Sequence, residues 1–460
     1  MNVRVLRIEL RRSVAPWAGV VVLATALAFL YLLSGPWWKG AALWTAQWTS
    51  MAMWTRFLLV MLWPLAVGLG ALQGLRDPRS KMSELLTSTS RPAWHRAATG
   101  AGTTAITLAS AFALLVLVGA VQVLADTEYS HLGWLPISLV GALSLVAGAV
   151  LGMGVGRALP SPLTPPALFV GAFVFTNLLG QWTGDSAVPT AVVPNRISLL
   201  SPGVAEVRNV FLTLSASVHL GQTLWLLGMA ATGFALLAAT TPRARLLALT
   251  PVLAGAAIAM LVLPSDPRHT YVVDEAAAAQ VCDGPVCVAK VHQARLAGLA
   301  GPGKKALSLL HDALDGQAPV SIRETTAPRA LGATPERSRK AVLVDFDDEV
   351  IATAKGEELT RALLAQGMAP ICSPRSGSES GMLTEIASQS IAAGWVLGDL
   401  RPFHGTIYSS REQLDAARPV WKKLKALPRA EQLSRINAMH AAAVSCKGDT
   451  LHVLAGGESQ

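Results

Sequence analysis

Three stretches in the C-terminal part of the chain combine residue types that can support chemistry. Gly298 to Lys305, G-L-A-G-P-G-K-K, has the G-x4-G-K spacing of a loop whose backbone amides and lysine hold phosphates. Lys305 stands where the magnesium-binding Ser or Thr belongs, and no strand pattern precedes it, so no nucleotide site is expected. Ala341 to Glu349, A-V-L-V-D-F-D-D-E, runs a strand pattern into D-x-D, with Asp345 placed as a nucleophile and Asp347 as an acid/base. Asp348 and Glu349 follow in place of the glycine and threonine such a site carries, so the expectation is a strand ending in an acidic turn. The histidines His269, His292, His311, His404, His440 and His452 are scattered, with no H-E-x-x-H and no i, i+4 pair to put two ligands on one helix face. They are read as structural or solvent-exposed.

The four cysteines, Cys282, Cys287, Cys372 and Cys446, all fall in the same part of the chain, at a spacing that matches no common zinc pattern. Cys282 and Cys287 flank the turn-rich Asp283-Gly284-Pro285-Val286, which favours pairing them and leaves Cys372 with Cys446. Four cysteines allow three connectivities, and free thiols or a metal site stay open as alternatives. The chain therefore carries no catalytic, cofactor or metal site of its own that the residue types support.

The elements that would position these residues follow from a change of composition at Pro264. Of 460 residues, 52% are hydrophobic and only 15% charged, which disfavours a single soluble globule. Residues 1–264 hold 16 Lys and Arg against 7 Asp and Glu, whereas residues 265–460 hold 22 of each, so the whole net charge of +9 belongs to the first part. That part also holds 11 of the 13 Trp, near the ends of apolar runs where amphipathic rings favour a membrane interface. The basic balance thus reflects membrane topology, and no nucleic-acid partner is expected.

Seven apolar stretches are long enough to cross a bilayer as helices: Val14 to Leu33, Phe57 to Leu75, Ala101 to Leu124, Leu135 to Val155, Ala167 to Gly184, Leu220 to Ala239 and Leu246 to Leu263. The first run is too long for a removable signal and no small-residue cleavage site follows it. With the N-terminus inside, twelve Lys and Arg fall on the cytoplasmic side, and four, Lys39, Arg56, Arg196 and Arg208, fall in outer loops. An odd number of spans then exports the tail, where disulfides persist. Inside the spans the polar groups are mainly Gln122, Asn177, Gln181 and Gln222, and the near absence of ionisable residues argues against ion-coupled transport.

Three further pieces of this half carry information. Asn2 to Val14 interleaves apolar residues with four Arg and suits an interfacial helix or a basic anchor. The loop Arg76 to Arg96, R-D-P-R-S-K-M-S-E-L-L-T-S-T-S-R-P-A-W-H-R, can form a short helix capped by Ser80 with Leu85 and Leu86 as an apolar patch. The outer loop Asp185 to His219 is long enough to hold partly embedded short helices or to be a plain connection.

This pattern resembles the permease subunits of type-2 ATP-binding-cassette exporters over roughly the first 264 residues. The resemblance implies that the segment Ser80, Lys81, Ser83, Glu84, Leu85 and Leu86 belongs to a coupling helix that docks on a cytoplasmic ATPase, which would hold the ATP and Mg. It implies a plasma-membrane protein working as a dimer of permeases. The segment V-C-D-G-P-V-C-V-A-K-V-H, residues 281–292, is similar to exported tails of actinobacterial permeases. Such permeases have six spans and a cytoplasmic C-terminus, and this chain departs from that with its tail.

The expected architecture is an α-helical polytopic membrane protein of six to seven spans, residues 1–264, with a mixed α/β extracytoplasmic domain, residues 265–460. In the tail, Lys340 to Phe346 reads as a strand, Glu357 to Gln366 as a helix ended by Gly367, Gly381 to Ala393 as a helix, and Ala417 to Ala443 as helical with a break at Pro428. Gly316 to Arg339 reads as loop. The expected function is export powered by a separate ATPase. The alternative is a polytopic anchor or sensor whose exported domain binds a ligand or envelope protein.

Overall fold

A computed structural model describes residues 15–32, 47–76, 93–127, 129–180, 183–184, 193–203, 210–327, 334–346, 348–373 and 379–457. They form two compact units. The first extends to Val273, and the second runs from Asp274 and takes in Thr127 and Tyr129.

The first unit is helical: α1 (Ala15–Tyr31), α2 (Trp48–Phe57), α3 (Leu59–Gly74), α4 (Ala93–Asp126), α5 (Trp134–Ala158) and α6 (Thr164–Gly180), then α7 (Ala216–Ala238), α8 (Pro242–Leu247) and α9 (Thr250–Val262). Each of the seven apolar stretches overlaps these helices, although the fifth, Ala167 to Gly184, runs past the end of α6 and the seventh covers both α8 and α9. Four helical segments, Trp94–Ala125, Trp134–Ala158, Ala216–Ala238 and Pro242–Val262, are long and apolar enough to cross a membrane. The pair α2 and α3, bent by 49°, makes a fifth if it counts as one span, while α1 and α6 are shorter apolar helices. The chain is therefore a helical polytopic membrane protein with a smaller sheet-containing part. Polar side chains inside the helices return to their own preceding turn: Ser144 donates to Val140 O at 2.8 Å, Thr176 to Ala172 O at 2.7 Å and Asn177 to Phe173 O at 2.8 Å. This leaves no hydroxyl or amide unsatisfied at those positions within the apolar helices.

Glycines set the helix spacing. A Cβ added at Gly70 or Gly74 of α3 would meet the backbone oxygen of Ala149 or Met153 in α5, and one at Gly152 of α5 would meet Val67 O in α3. The same closeness continues from Gly154 of α5 to Gly233 of α7, and from Gly228 of α7 to Gly255 of α9. Small residues four apart let backbones touch where the hydrophobic effect cannot drive helices together, because lipid is as apolar as leucine.

Between α6 and α7 the chain forms short pieces, β1 (Thr183–Gly184) antiparallel to β2 (Val193–Pro194), a 3-10 turn at Ser198–Leu200, and β3 (Leu212–Leu214), which pairs antiparallel with β4 (Tyr271–Val273) after α9. Among the described residues the segment 185–219 thus holds short strands, one 3-10 turn and the start of α7.

The second unit begins with α10 (Glu275–Ala278) and builds a four-stranded sheet from β5 (Gln280–Asp283), β6 (Val286–Ala289), β7 (Ser321–Glu324) and β8 (Ala341–Val344), in that order. β5 and β6 are an antiparallel hairpin whose turn puts Gly284 at φ +63°, and the remaining pairs are parallel. The crossover from β6 to β7 is α11 (Gln293–Leu314). After β8 come α12 (Glu349–Thr353), α13 (Gly356–Met368), α14 (Glu379–Leu397), α15 (Ser410–Lys425), α16 (Arg429–Ser445) and α17 (Thr450–Leu454). Val286, Ile322, Val342, Leu310, Leu363 and Ile391 meet in one buried core.

Two expectations for the tail change. The stretch 316–339 contains β7, which closes the parallel part of the sheet. Gly367 lies inside α13, where its missing side chain makes room for Leu310 and Val342. The predicted break at Pro428 is present, since that proline caps the start of α16.

The four sulfurs lie at disulfide distance in the two favoured pairs, with Cα separations of 4.0 Å for Cys282 and Cys287 and 5.7 Å for Cys372 and Cys446. The first joins residues directly opposite in the hairpin. The second ties the start of the segment after α13 to the end of α16 across a sequence separation of 74.

Two outcomes are expected. Gly152→Val forces a side chain into the α3 backbone and should cost on the order of 3 kcal/mol, read as a lower unfolding temperature in detergent, whereas Gly171→Ala, which has no atom within 4 Å of the new Cβ, should be neutral. Removing Cys372–Cys446 should destabilise the tail by about 2 kcal/mol more than removing Cys282–Cys287, because it closes the longer loop. Denaturant unfolding of the double-serine variants checks this.

Candidate functional site

The most unusual group in the membrane unit is Arg56, in the last turn of α2 just before the bend at Leu58, and its side chain is 0% exposed. It donates through Nε to Pro202 O at 3.5 Å and through Nη2 to Gln222 Oε1. Gln222, in the second turn of α7, donates in turn to Leu199 O at 2.7 Å, and the neighbouring Trp225 indole donates to Leu200 O at 3.1 Å. Arginine and glutamine together fasten the 3-10 turn at Ser198–Leu200 to the ends of α2 and α7. His219 in the first turn of α7 and Tyr271 in β4 interact electrostatically with the same guanidinium.

Arg56 Nη1, His219 Nδ1 and Thr270 Oγ1 are buried and have no hydrogen-bond partner among the described residues. No carboxylate among the described residues pairs with Arg56. Arg56 and Gln222 thus bring a cation and a carboxamide together, with the His219 imidazole in electrostatic reach, at one end of an apolar bundle. Both oxygens that accept from its side chain, Pro202 O and Gln222 Oε1, belong to neutral groups.

Sequence reasoning placed Arg56 in an outer loop, and the structure corrects this by burying it within a helix. His219 and Arg56 each sit one residue before a predicted span, at Leu220 and Phe57. A hydropathy boundary therefore cut off the two ionisable groups. The available signal was local: Arg56 follows Met51, Ala52, Met53 and Trp54, and His219 and Gln222 share a helix face at i, i+3.

In the tail, the structure disperses the motifs that suggested chemistry. Gly298 to Lys305 lies within α11, so no loop exists there to cradle a phosphate. Asp345 follows β8, and Asp348 caps α12 by accepting from Val350 N at 3.0 Å, while Asp347 lies outside the described residues. The strand-then-acidic-turn expectation matches this arrangement. His440 Nδ1 donates to Met368 O, 2.9 Å away, and joins α16 to α13. His292 meets Glu324 Oε1 at 2.6 Å, and Glu324 Oε2 accepts from Ala289 N at 2.7 Å, which pins the end of β6 to β7. Among the described residues no three His, Cys, Asp or Glu form a metal-binding group.

The tail does contain a cavity of about 600 Å³ that no motif signalled. Its charged lining brings Lys305, Glu357, Glu358, Arg361, Asp399 and Arg401 together from two helices, α11 and α13, and the segment after α14. Asp399 is the organiser. Arg361 donates to its carboxylate and, at 3.1 Å, to its backbone oxygen, and Arg401 Nε reaches the other carboxylate oxygen at 2.5 Å. The hydrogen bond from Arg361 holds the Asp399 carboxyl below its ordinary range.

The predicted coupling residues Ser80, Lys81, Ser83, Glu84, Leu85 and Leu86 lie outside the described residues. Comparisons with known proteins return no matching family model, no matching curated protein and no matching solved structure.

Because the Asp399 carboxyl ionises more readily in the folded chain, its contribution is present above 3.8 and is lost as pH falls through the depressed value. Asp399→Asn should therefore lower tail stability near neutral pH by about 1 kcal/mol, the range for a pair that solvent reaches. It should also flatten the acid limb of the stability curve. Hydrogen exchange of tail peptides across pH reads both effects.

Proposed function

We propose that the chain is the membrane-spanning permease subunit of an exporter driven by a separate cytoplasmic ATPase. The support for this reading is which helices the segment Arg76 to Arg96, similar to a coupling segment in sequence, joins along the chain. It connects α3 to α4, and both helices pack on α5 in the glycine-seamed bundle. A partner that pushes on this loop would act directly on the helices that form the bundle. Absence of ionisable groups through most of the helices supports an external energy source. The ATPase would hold ATP and Mg, and two permease copies would enclose the path.

In this reading the protein sits in the plasma membrane with seven spans, the bent pair counting as one. The N-terminus and the loop Arg76 to Arg96 face the cytoplasm. The tail with its paired cysteines lies outside.

A second reading, a polytopic anchor or sensor, is supported by the cavity around Asp399, whose volume suits a small ligand. The two differ in what Glu84 does. Gentle solubilisation of the tagged protein from its native membrane, followed by mass spectrometry, should recover a near-stoichiometric nucleotide-binding subunit. Glu84→Lys should reduce that recovery at least about tenfold. Recovery of envelope proteins alone, unchanged by Glu84→Lys, would favour the sensor.

A further inference from the structure

We infer that the cavity around Asp399 is a binding site for a small zwitterion, an amino acid or short peptide that keeps a free ammonium and a free carboxylate on an apolar body. The inference rests on the second reading above, in which the tail takes a ligand, and names the class of that ligand. A cavity of about 600 Å³ suits a small organic molecule. The charges on its wall decide which kind.

Three cations and three carboxylates line the space, Lys305, Arg361 and Arg401 against Glu357, Glu358 and Asp399. They are not paired evenly. Asp399 takes Arg361 on one carboxylate oxygen and Arg401 Nε on the other, so one carboxylate serves two guanidiniums and a unit of positive charge is left over. The Nη nitrogens of Arg401 and the side chains of Lys305, Glu357 and Glu358 make no hydrogen bond or ion pair among the described residues. An uncommitted cationic pair, Arg401 and Lys305, thus shares one cavity with an uncommitted acidic pair. An anion would gain from the first pair and be repelled by the second, and a cation the reverse. A neutral molecule would strip water from both and offer weaker partners in its place. A ligand with both charges answers both pairs.

The scale and rigidity of the wall fit such a ligand. Arg361, which holds Asp399 and through it Arg401, follows the two glutamates by one turn of α13, about 5 Å along the axis. Two peptide residues, at ~3.5 Å each, span a gap of that order. The side chain of Arg361 is only 10% exposed and donates to the Asp399 backbone oxygen at 3.1 Å. Gln413 exchanges two hydrogen bonds of 2.9 Å with the backbone of Phe403. Gly398, at φ +92°, and Gly405, at φ +81°, turn the chain on either side, and Gly405 rests against the backbone of Glu349, where a Cβ would come within 3.0 Å. The segment between these glycines is therefore held in place before any ligand arrives, and little ordering is required on binding. Val350, Leu397 and Phe403 supply apolar surface beside the charges for the body of the ligand.

The test is isothermal titration of the full chain, purified in neutral detergent, with three probes: alanyl-phenylalanine, its N-acetyl form and its C-terminal amide. The free dipeptide should bind, and each blocked form should bind at least about tenfold more weakly. Arg401→Gln should weaken the free dipeptide to a similar extent and leave the amide unchanged. The double variant Glu357→Gln with Glu358→Gln should weaken the free dipeptide and leave the N-acetyl form unchanged. All three side chains are exposed, so the variants should keep the wild-type unfolding temperature. Absence of binding by the free dipeptide, equal binding of free and blocked forms, sensitivity to one block alone, or affinities unchanged in both variants overturns the inference. The recovery experiment with Glu84→Lys does not involve the cavity, so any of these outcomes removes the ligand class and leaves the choice between exporter and sensor to that experiment.

Discussion

Backbone contact between helices is the constraint on which the membrane unit depends. Gly70 and Gly74 on one helix and Gly152 on its neighbour leave no space for even a methyl group, and the contact recurs from Gly154 to Gly233 and from Gly228 to Gly255. Four apolar helices are thereby held by close van der Waals approach, the force still available in lipid. The buried cation and its carboxamide partner are kept at their ends, where the turn at Ser198–Leu200 and the strand pair β3 and β4 lie.

The second unit is held by a different physics. Its core is a water-driven hydrophobic cluster around Val286, Ile322 and Leu363, and its polar groups act as pins between elements. Glu324 fixes β6 to β7, His440 fixes α16 to α13, and Asp399 gathers two arginines. Burial pushes the Glu385 carboxyl up even though it accepts from the amides of Ser373 and Cys372, beside a disulfide. Removing a pin of this kind leaves a polar group without a partner, which costs more than the hydrogen bond itself contributes.

Much of this was legible in the sequence because it depends on runs and periods. Seven apolar stretches overlap helices, A-V-L-V forms its strand, and the spacing of Cys282 and Cys287 about a Gly-Pro turn places them face to face. What escaped depends on contacts between distant residues. Ser321 to Glu324 is a strand because β6 and β8 flank it, and S-I-R-E has too little apolar pattern to announce that. The cavity around Asp399 combines α11, α13 and the segment after α14. Arg56 looked like a loop cation because a window average ends where the apolar run ends, and burial by Gln222 and the turn after β2 is invisible to a window.

The glycine seam also limits how the membrane unit can move. Helices that interdigitate through side chains can slide by repacking rotamers, the small displacements of a shear motion. Where backbone rests on backbone, a small slide drives carbonyls into Cα atoms, and the next register that restores the fit is four residues away, about 6 Å along the axis. The helices α3, α5, α7 and α9 should then travel as a single rigid slab. Angular change is left to the interruption at Leu58, where, among the described residues, a helix pair already changes direction by 49°.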